Sequence, residues 1–90
     1  MDWRIEVTDT AKKQLAKLDR QIQIEIMLYL RAKIATEEDP RRYGAPLRKE
    51  LLGRWKYRVG AYRLICDIQD EKIMVCVLMV GHRSKVYGGH

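Results

Sequence analysis

The sequence predicts an α+β domain of element order β-α-α-β-β-β: a small, antiparallel-dominated sheet with a helical hairpin packed on one face. Three observations predict it. Residues 3–7 alternate apolar and polar with the two-residue period of a strand. Residues 11–35 carry apolar side chains at helical spacing, interrupted once at Leu18-Asp19. Residues 54–80 hold three β-rich runs, separated by Gly60-Ala61 and by Gln69-Asp70-Glu71-Lys72.

Each element follows from its local chemistry. Thr8 or Asp9 caps the first helix, whose buried stripe is Ala11, Leu15 and Leu18 and whose wet side is Lys12, Lys13 and Lys17. Asp19 caps a longer helix over residues 21–35, with Ile22, Ile26, Tyr29 and Leu30 on one side. Ile24, Met27 and Leu28 widen that stripe, enough for core alone or for core plus a partner surface. Residues 36–46, TEEDPRRYGAP, read as a loop, and residues 47–52 fit no single element. Strands follow over 54–59, 62–68 and 73–80. Gly60 supplies the positive φ of a tight hairpin. The last strand, apolar throughout, reads as central and covered on both faces, with Gly81 breaking it.

Ninety residues suit one domain, spanning 1–90. No apolar run reaches the roughly 18 residues of a membrane span, and the opening MDWRIEV lacks a signal-peptide layout. Cys66 and Cys76 sit inside apolar runs, away from any Cys/His cluster at ligand spacing. The expectation is a cytoplasmic protein with reduced core thiols, no metal, no cofactor and no membrane partner. The net charge is +6, and it is uneven. From Arg41 to Arg63 stand eight cations against Glu50 alone, a net +7, which leaves −1 for the rest of the chain. The charge suits an anionic partner, whether nucleic acid, membrane surface or acidic protein, and the basic character belongs to that segment.

Its densest part is RWKYRVGAYR, residues 54–63. With Gly60-Ala61 as a two-residue turn, Val59 faces Tyr62, Arg58 faces Arg63, Lys56 faces Ile65 and Arg54 faces Asp67. Alternation then gives one face to Trp55, Tyr57, Val59, Tyr62, Leu64, Cys66 and Ile68, beneath the helices. The other face collects Arg54, Lys56, Arg58 and Arg63, with Ile65 and Asp67. Asp67 can pair weakly with Arg54. The face is either a solvated one with ordinary basic residues or an anion site; like charges directly opposite repel, so Arg58 against Arg63 favours a bridging anion, and phosphate oxygens suit clustered arginines.

The element order, the YRVGAYRLI hairpin, the apolar last strand and the VGHRSKVY ending resemble the RelE toxins of the RelE/ParE superfamily. The resemblance covers residues 3–87. It implies a type II toxin: a ribosome-dependent endoribonuclease that cuts mRNA in the A site and is neutralised by a cognate antitoxin. Its partners would be that antitoxin and the ribosome, with operator DNA reached only through the antitoxin. The catalytic positions it implies are Arg54, Lys56, Arg63, Arg83 and Tyr87. Arg54 stands where the family pattern has lysine; arginine keeps its proton, which suits phosphate binding rather than general-base work. Arg58, Lys49, Arg48 and His82 are implied RNA contacts.

The implied reaction is attack of an RNA 2′-OH on the adjacent phosphate, giving a 2′,3′-cyclic phosphate and a 5′-OH. Arg63 and Arg54 suit stabilisation of the phosphorane, and Arg83 suits the leaving group. The base is Tyr87 or Lys56, since neighbouring cations lower either pKa. Rival readings are a ParE-like gyrase poison, a non-catalytic nucleic-acid-binding module, and a degenerate toxin that still binds its antitoxin.

Overall fold

Strand β1 (Arg4–Val7) leads into helices α1 (Asp9–Ala16) and α2 (Arg20–Tyr29), followed by strands β2 (Ala45–Pro46), β3 (Trp55–Val59), β4 (Tyr62–Gln69) and β5 (Met74–His82) and a last helical turn, α3 (Arg83–Val86). The structure, a computed structural model, describes residues 1–86. The sheet order is β1-β5-β4-β3-β2. β1 runs parallel to β5, and the other neighbours are antiparallel. The expected α+β arrangement is present, with one more strand than the sequence suggested.

That strand is β2. It lies inside the stretch read as a loop and is two residues long, ending in Pro46, which cannot extend a ladder. Ala45 pairs with Lys56 and Pro46 with Trp55. The chain before it is fastened to the core from both sides. Tyr57, fully buried, donates its hydroxyl to the Pro40 carbonyl at 2.7 Å. Trp55 donates its indole N–H to the Tyr43 carbonyl at 2.7 Å. Gly44 sits between them at φ +76°, and a Cβ there would run into the Lys56 carbonyl. Arg41 clasps the Asp70 carboxylate through two hydrogen bonds of 2.9 and 2.7 Å.

Thr8 caps α1 as its chemistry suggests, its hydroxyl oxygen accepting the Ala11 N–H at 3.1 Å. α2 is shorter than its apolar pattern. At Leu30 it widens into a π-helical turn, Leu30–Ile34, closed by the Ala35 N–H on the Leu30 carbonyl. The wider turn advances less per residue, so Ile34 stays in line with Ile26 and Leu30, and all three are buried.

These side chains meet Ala11, Tyr57, Leu64, Cys66, Val75, Val77 and Val80 in one core, with Trp55, Val59, Tyr62 and Ile68 partly buried against it. The face assigned to the helices is therefore the one they cover. β5 is central, but its fully buried positions all belong to this face; Met74, Cys76 and Met79 on the other side are only half-buried. Gly81 does not break the strand either. It pairs with Arg63, and β5 continues to His82.

The register of β4 against β5 slips once. Ile65 pairs with Met79 but Cys66 with Val77, leaving Leu78 as a bulge. Two side chains from α1 and its cap secure it. The Thr8 hydroxyl donates to the Val77 and Leu78 carbonyls at 3.1 and 3.2 Å, and Gln14 Oε1 accepts the Val80 N–H at 2.6 Å. The extra residue inverts the alternation, so Val77 and Val80 both face the core.

Candidate functional site

Strands β3 and β4 bring the cations together. Gly60 takes φ +60° at the tip, and the register is Lys56↔Ile65, Arg58↔Arg63 and Val59↔Tyr62. Lys56, Arg58 and Arg63 thus project from the face opposite Tyr57 and Leu64, and Arg58 lies directly against Arg63. Arg58 is exposed, while Lys56 and Arg63 are half-buried. Arg63 donates one guanidinium N–H to the Tyr62 carbonyl at 3.3 Å. On its other flank is Gly81. Gly81 itself carries no side chain that could cover the Arg63 guanidinium.

Ile65, fully buried, lies on this same outer face between Lys56 and Met79. It is covered by its neighbours there, apart from the main core. Arg54 precedes β3 and reaches Asp67 across the hairpin, with Nη1 3.6 Å from Oδ1. Gln69 donates to the other Asp67 oxygen at 3.0 Å. Further along the face the charge changes sign. Cys76 pairs with both Asp67 and Glu6; burial first, then these two carboxylates, raise its thiol pKa. The cationic area therefore has an acidic border toward β1.

Arg83 joins the hairpin tip through the backbone, its N–H bonding the Ala61 carbonyl at 2.9 Å. Arg48 and Lys49, both exposed, lie in the turn between β2 and β3. There Lys49 takes φ +57°. They and Lys56 line a cleft of about 640 Å³ floored by Pro46, Leu47 and Leu51. The sequence offered no sign of this cleft, because it depends on β2.

His82 is not brought to this face. It pairs with Tyr62, packs edge-on against that ring at 5.6 Å and sits 3.0 Å from the Ser84 hydroxyl, beside Gln14, Lys17 and Leu18 on the helical side. The Leu78 bulge is the cause. Uninterrupted alternation from Val75 and Val77 would put residue 82 on the outer face. Tyr87 lies outside the described residues. Among those that are described, no group of three or more His, Cys, Asp or Glu is placed to hold a metal ion, and no helix is long and apolar enough to cross a membrane.

The cluster offers forked, permanently charged donors on one face of the hairpin. That suits the oxygens of a phosphate. The cations also lie in a row along strands, which suits a linear polyanion held by salt-sensitive contacts.

Residues 5–87 match the family described as ParE toxin of type II toxin-antitoxin system, parDE. The chain is 37% identical to Toxin RelG of Mycobacterium tuberculosis, over 97% of this chain and 98% of that protein. It is 28% identical to Toxin RelE of the same organism, over 94% and 86%. In structure it is similar to a chain of the Mycobacterium tuberculosis toxin-antitoxin complex RelBE2, with TM-score 0.84, 34% identity and coverage of 94% and 95%. It is similar too to the isolated E. coli RelE toxin, with TM-score 0.69, 25% identity and coverage of 94% and 90%.

Proposed function

The chain belongs to the RelE/ParE superfamily of type II toxin–antitoxin toxins, and from that premise we propose that it is a ribosome-dependent endoribonuclease that cuts mRNA in the A site. The observation that carries the reading is the Arg58–Arg63 pair, two guanidinium groups set against each other in register beside Lys56. Such a pair is destabilising on its own. A phosphodiester between them relieves the repulsion through forked hydrogen bonds.

In the proposed reaction the RNA 2′-oxygen bonds to the adjacent phosphorus and the P–O5′ bond breaks, leaving a 2′,3′-cyclic phosphate and a 5′-OH. The 2′-OH proton passes to Lys56 or to Tyr87. Arg63, and Arg54 beside Asp67, stabilise charge on the phosphorane. Arg83, tethered to the hairpin turn, assists the departing 5′-oxygen, which takes up a proton. Arg54 in place of lysine contributes charge and not proton transfer. Arg58, Arg48 and Lys49 hold the RNA backbone. His82, on the helical side, has no part in this arrangement.

Among the described residues no tuned acid–base pair is formed, which fits dependence on the ribosome. Alignment of the 2′-oxygen with the scissile phosphate supplies on the order of 7–11 kcal/mol in well-oriented systems. The natural partners of such a toxin are the ribosome, in the cytoplasm, and a cognate antitoxin; solved relatives are toxin–antitoxin complexes. Operator DNA is reached through the antitoxin.

The test is to add the purified chain to a stalled translation complex with an open A site and map RNA ends. The expected product is an mRNA fragment with a new 5′-OH inside the A-site codon. Intact mRNA would overturn the reading. The second reading is gyrase poisoning, favoured by the ParE description of the matching family. Cleaved DNA in a gyrase assay, with ribosomes unaffected, would select it.

A further inference from the structure

A second exposed surface lies on α2, away from the cationic face. Among the described residues five large apolar side chains are exposed, and three of them, Ile24 (43%), Met27 (41%) and Leu28 (55%), share one side of α2. With Arg20, Gln23 and Arg31 they line a groove of about 370 Å³. Arg20, Ile24, Met27, Leu28 and Arg31 are spaced i, i+4, i+7, i+8 and i+11, a single stripe on a helix. Its centre is apolar and both ends are arginine. Met27 and Arg31 also border a second groove, with Trp3 and Ile5 on its far side, so the surface continues to the edge of β1.

The charge pattern decides what fits. A second copy of this chain does not. Arg20 and Arg31 lie symmetrically about the stripe's centre, so antiparallel pairing of two α2 helices sets each Arg20 against the other copy's Arg31. Parallel pairing sets like against like as well. RNA does not suit it either, because an apolar centre interrupts the cations a phosphate backbone follows. A helix with two or three apolar side chains at i, i+3 or i+4 and i+7, and carboxylates about 16 Å apart at its ends, matches at every point.

Resting on the toxin reading above, we propose that this stripe of α2 is the anchor for an acid-flanked amphipathic helix of the cognate antitoxin. α2 packs on the face of the sheet opposite the cations. Docking there leaves the catalytic face uncovered. Capture and inhibition are therefore separable: the anchor supplies affinity, and another segment of the antitoxin blocks the site.

The experiment uses the full chain and, as probe, the purified product of the open reading frame adjoining its gene. Binding is measured for wild type, for Ile24→Asp with Leu28→Asp, and for Arg20→Glu with Arg31→Glu. Thermal unfolding confirms that both variants are folded. The aspartate pair is expected to weaken binding roughly 30-fold or more, as loss of a central anchor does. It should leave A-site cleavage unchanged, and saturating probe should still inhibit it fully. The glutamate pair is expected to weaken binding less, with the loss larger at low salt. Hydrogen exchange should show protection over residues 20–31 in the complex. Wild-type affinity in the aspartate variant, with protection confined to β3 and β4, would overturn the anchor while leaving the toxin reading intact. So would a wild-type dimer that the aspartate pair dissolves. A wild-type chain that neither binds the probe nor cleaves mRNA would overturn both.

Discussion

The two faces of the β3–β4 hairpin are made from the same two strands and do opposite things. On one, Tyr57, Leu64 and Cys66 are fully buried under the helices. On the other, Lys56, Arg58 and Arg63 face outward, with two arginines directly opposed. The first face gains stability from area removed from water. The second gives some up to like-charge repulsion. A protein selected for stability alone would not keep the second arrangement. The difference teaches that binding strain and folding strength are stored on opposite sides of one strand pair, one residue apart.

The comparison can be broken first at the core. Leu64→Ala removes a fully buried side chain and is expected to cost about 2–5 kcal/mol of stability. Chemical denaturation measures the loss. Cleavage per folded molecule should stay near wild type, because the cations one residue away keep their register.

A smaller effect comes from the bulge. Gln14→Leu removes the acceptor for the Val80 N–H and is expected to cost roughly 1–3 kcal/mol, the usual toll of a buried donor left unpaired. Amide exchange at Val80 should accelerate well beyond that of its neighbours. Unchanged exchange there would mean that the slipped register does not depend on α1.

Arg58→Glu sharpens the contrast by moving the two faces' properties in opposite directions. Replacing repulsion with attraction across the pair should raise stability by about 0.2–1 kcal/mol. RNA binding should weaken at the same time. A drop in stability would remove the case that the pair is strained.

The smallest effect lies away from both faces, at Arg41–Asp70. The hydrogen bond from Arg41 lowers the Asp70 pKa, and also raises that of Arg41. For a carboxyl depressed in the folded state, the stabilisation is present above the ordinary aspartate range and vanishes as pH falls through the depressed value. Asp70→Asn should therefore lower Tm slightly at pH 7. The two proteins should converge in acid, which a Tm series from pH 7 to about pH 2 would reveal.

The sequence carried most of this hairpin because Gly60-Ala61 fixes its register and because polar and apolar residues alternate on both arms, Ile65 apart. Once the turn is placed, Arg58 must oppose Arg63, and Tyr57 and Leu64 must share the buried side. The α2 stripe was legible in the same way, as more apolar side chains than one buried face holds; which of them stay exposed needed the packing. β5 was less legible. Met74 to Val80 is apolar at every position, so nothing in the pattern marks which residues face the core, and a slip at Leu78 leaves no trace. That slip carries His82 to the helical side. β2 was hidden by its length and by Pro46, and with it the cleft that brings Arg48 and Lys49 to Lys56. Thr8 was visible as a helix cap. Its second task, holding the Val77 and Leu78 carbonyls, depends on a contact 69 and 70 residues away.

The most direct measurement is single-turnover A-site mRNA cleavage by Arg63→Ala, taken together with its unfolding free energy. Cleavage is expected to fall by roughly 10²–10³, the scale for removing one preorganised charge-stabilising donor. The unfolding free energy should stay within about 0.5 kcal/mol of wild type, as for a surface substitution. Cleavage that survives at the wild-type rate, or that falls only as far as the folded population falls, would contradict a site built on the outer face of this hairpin.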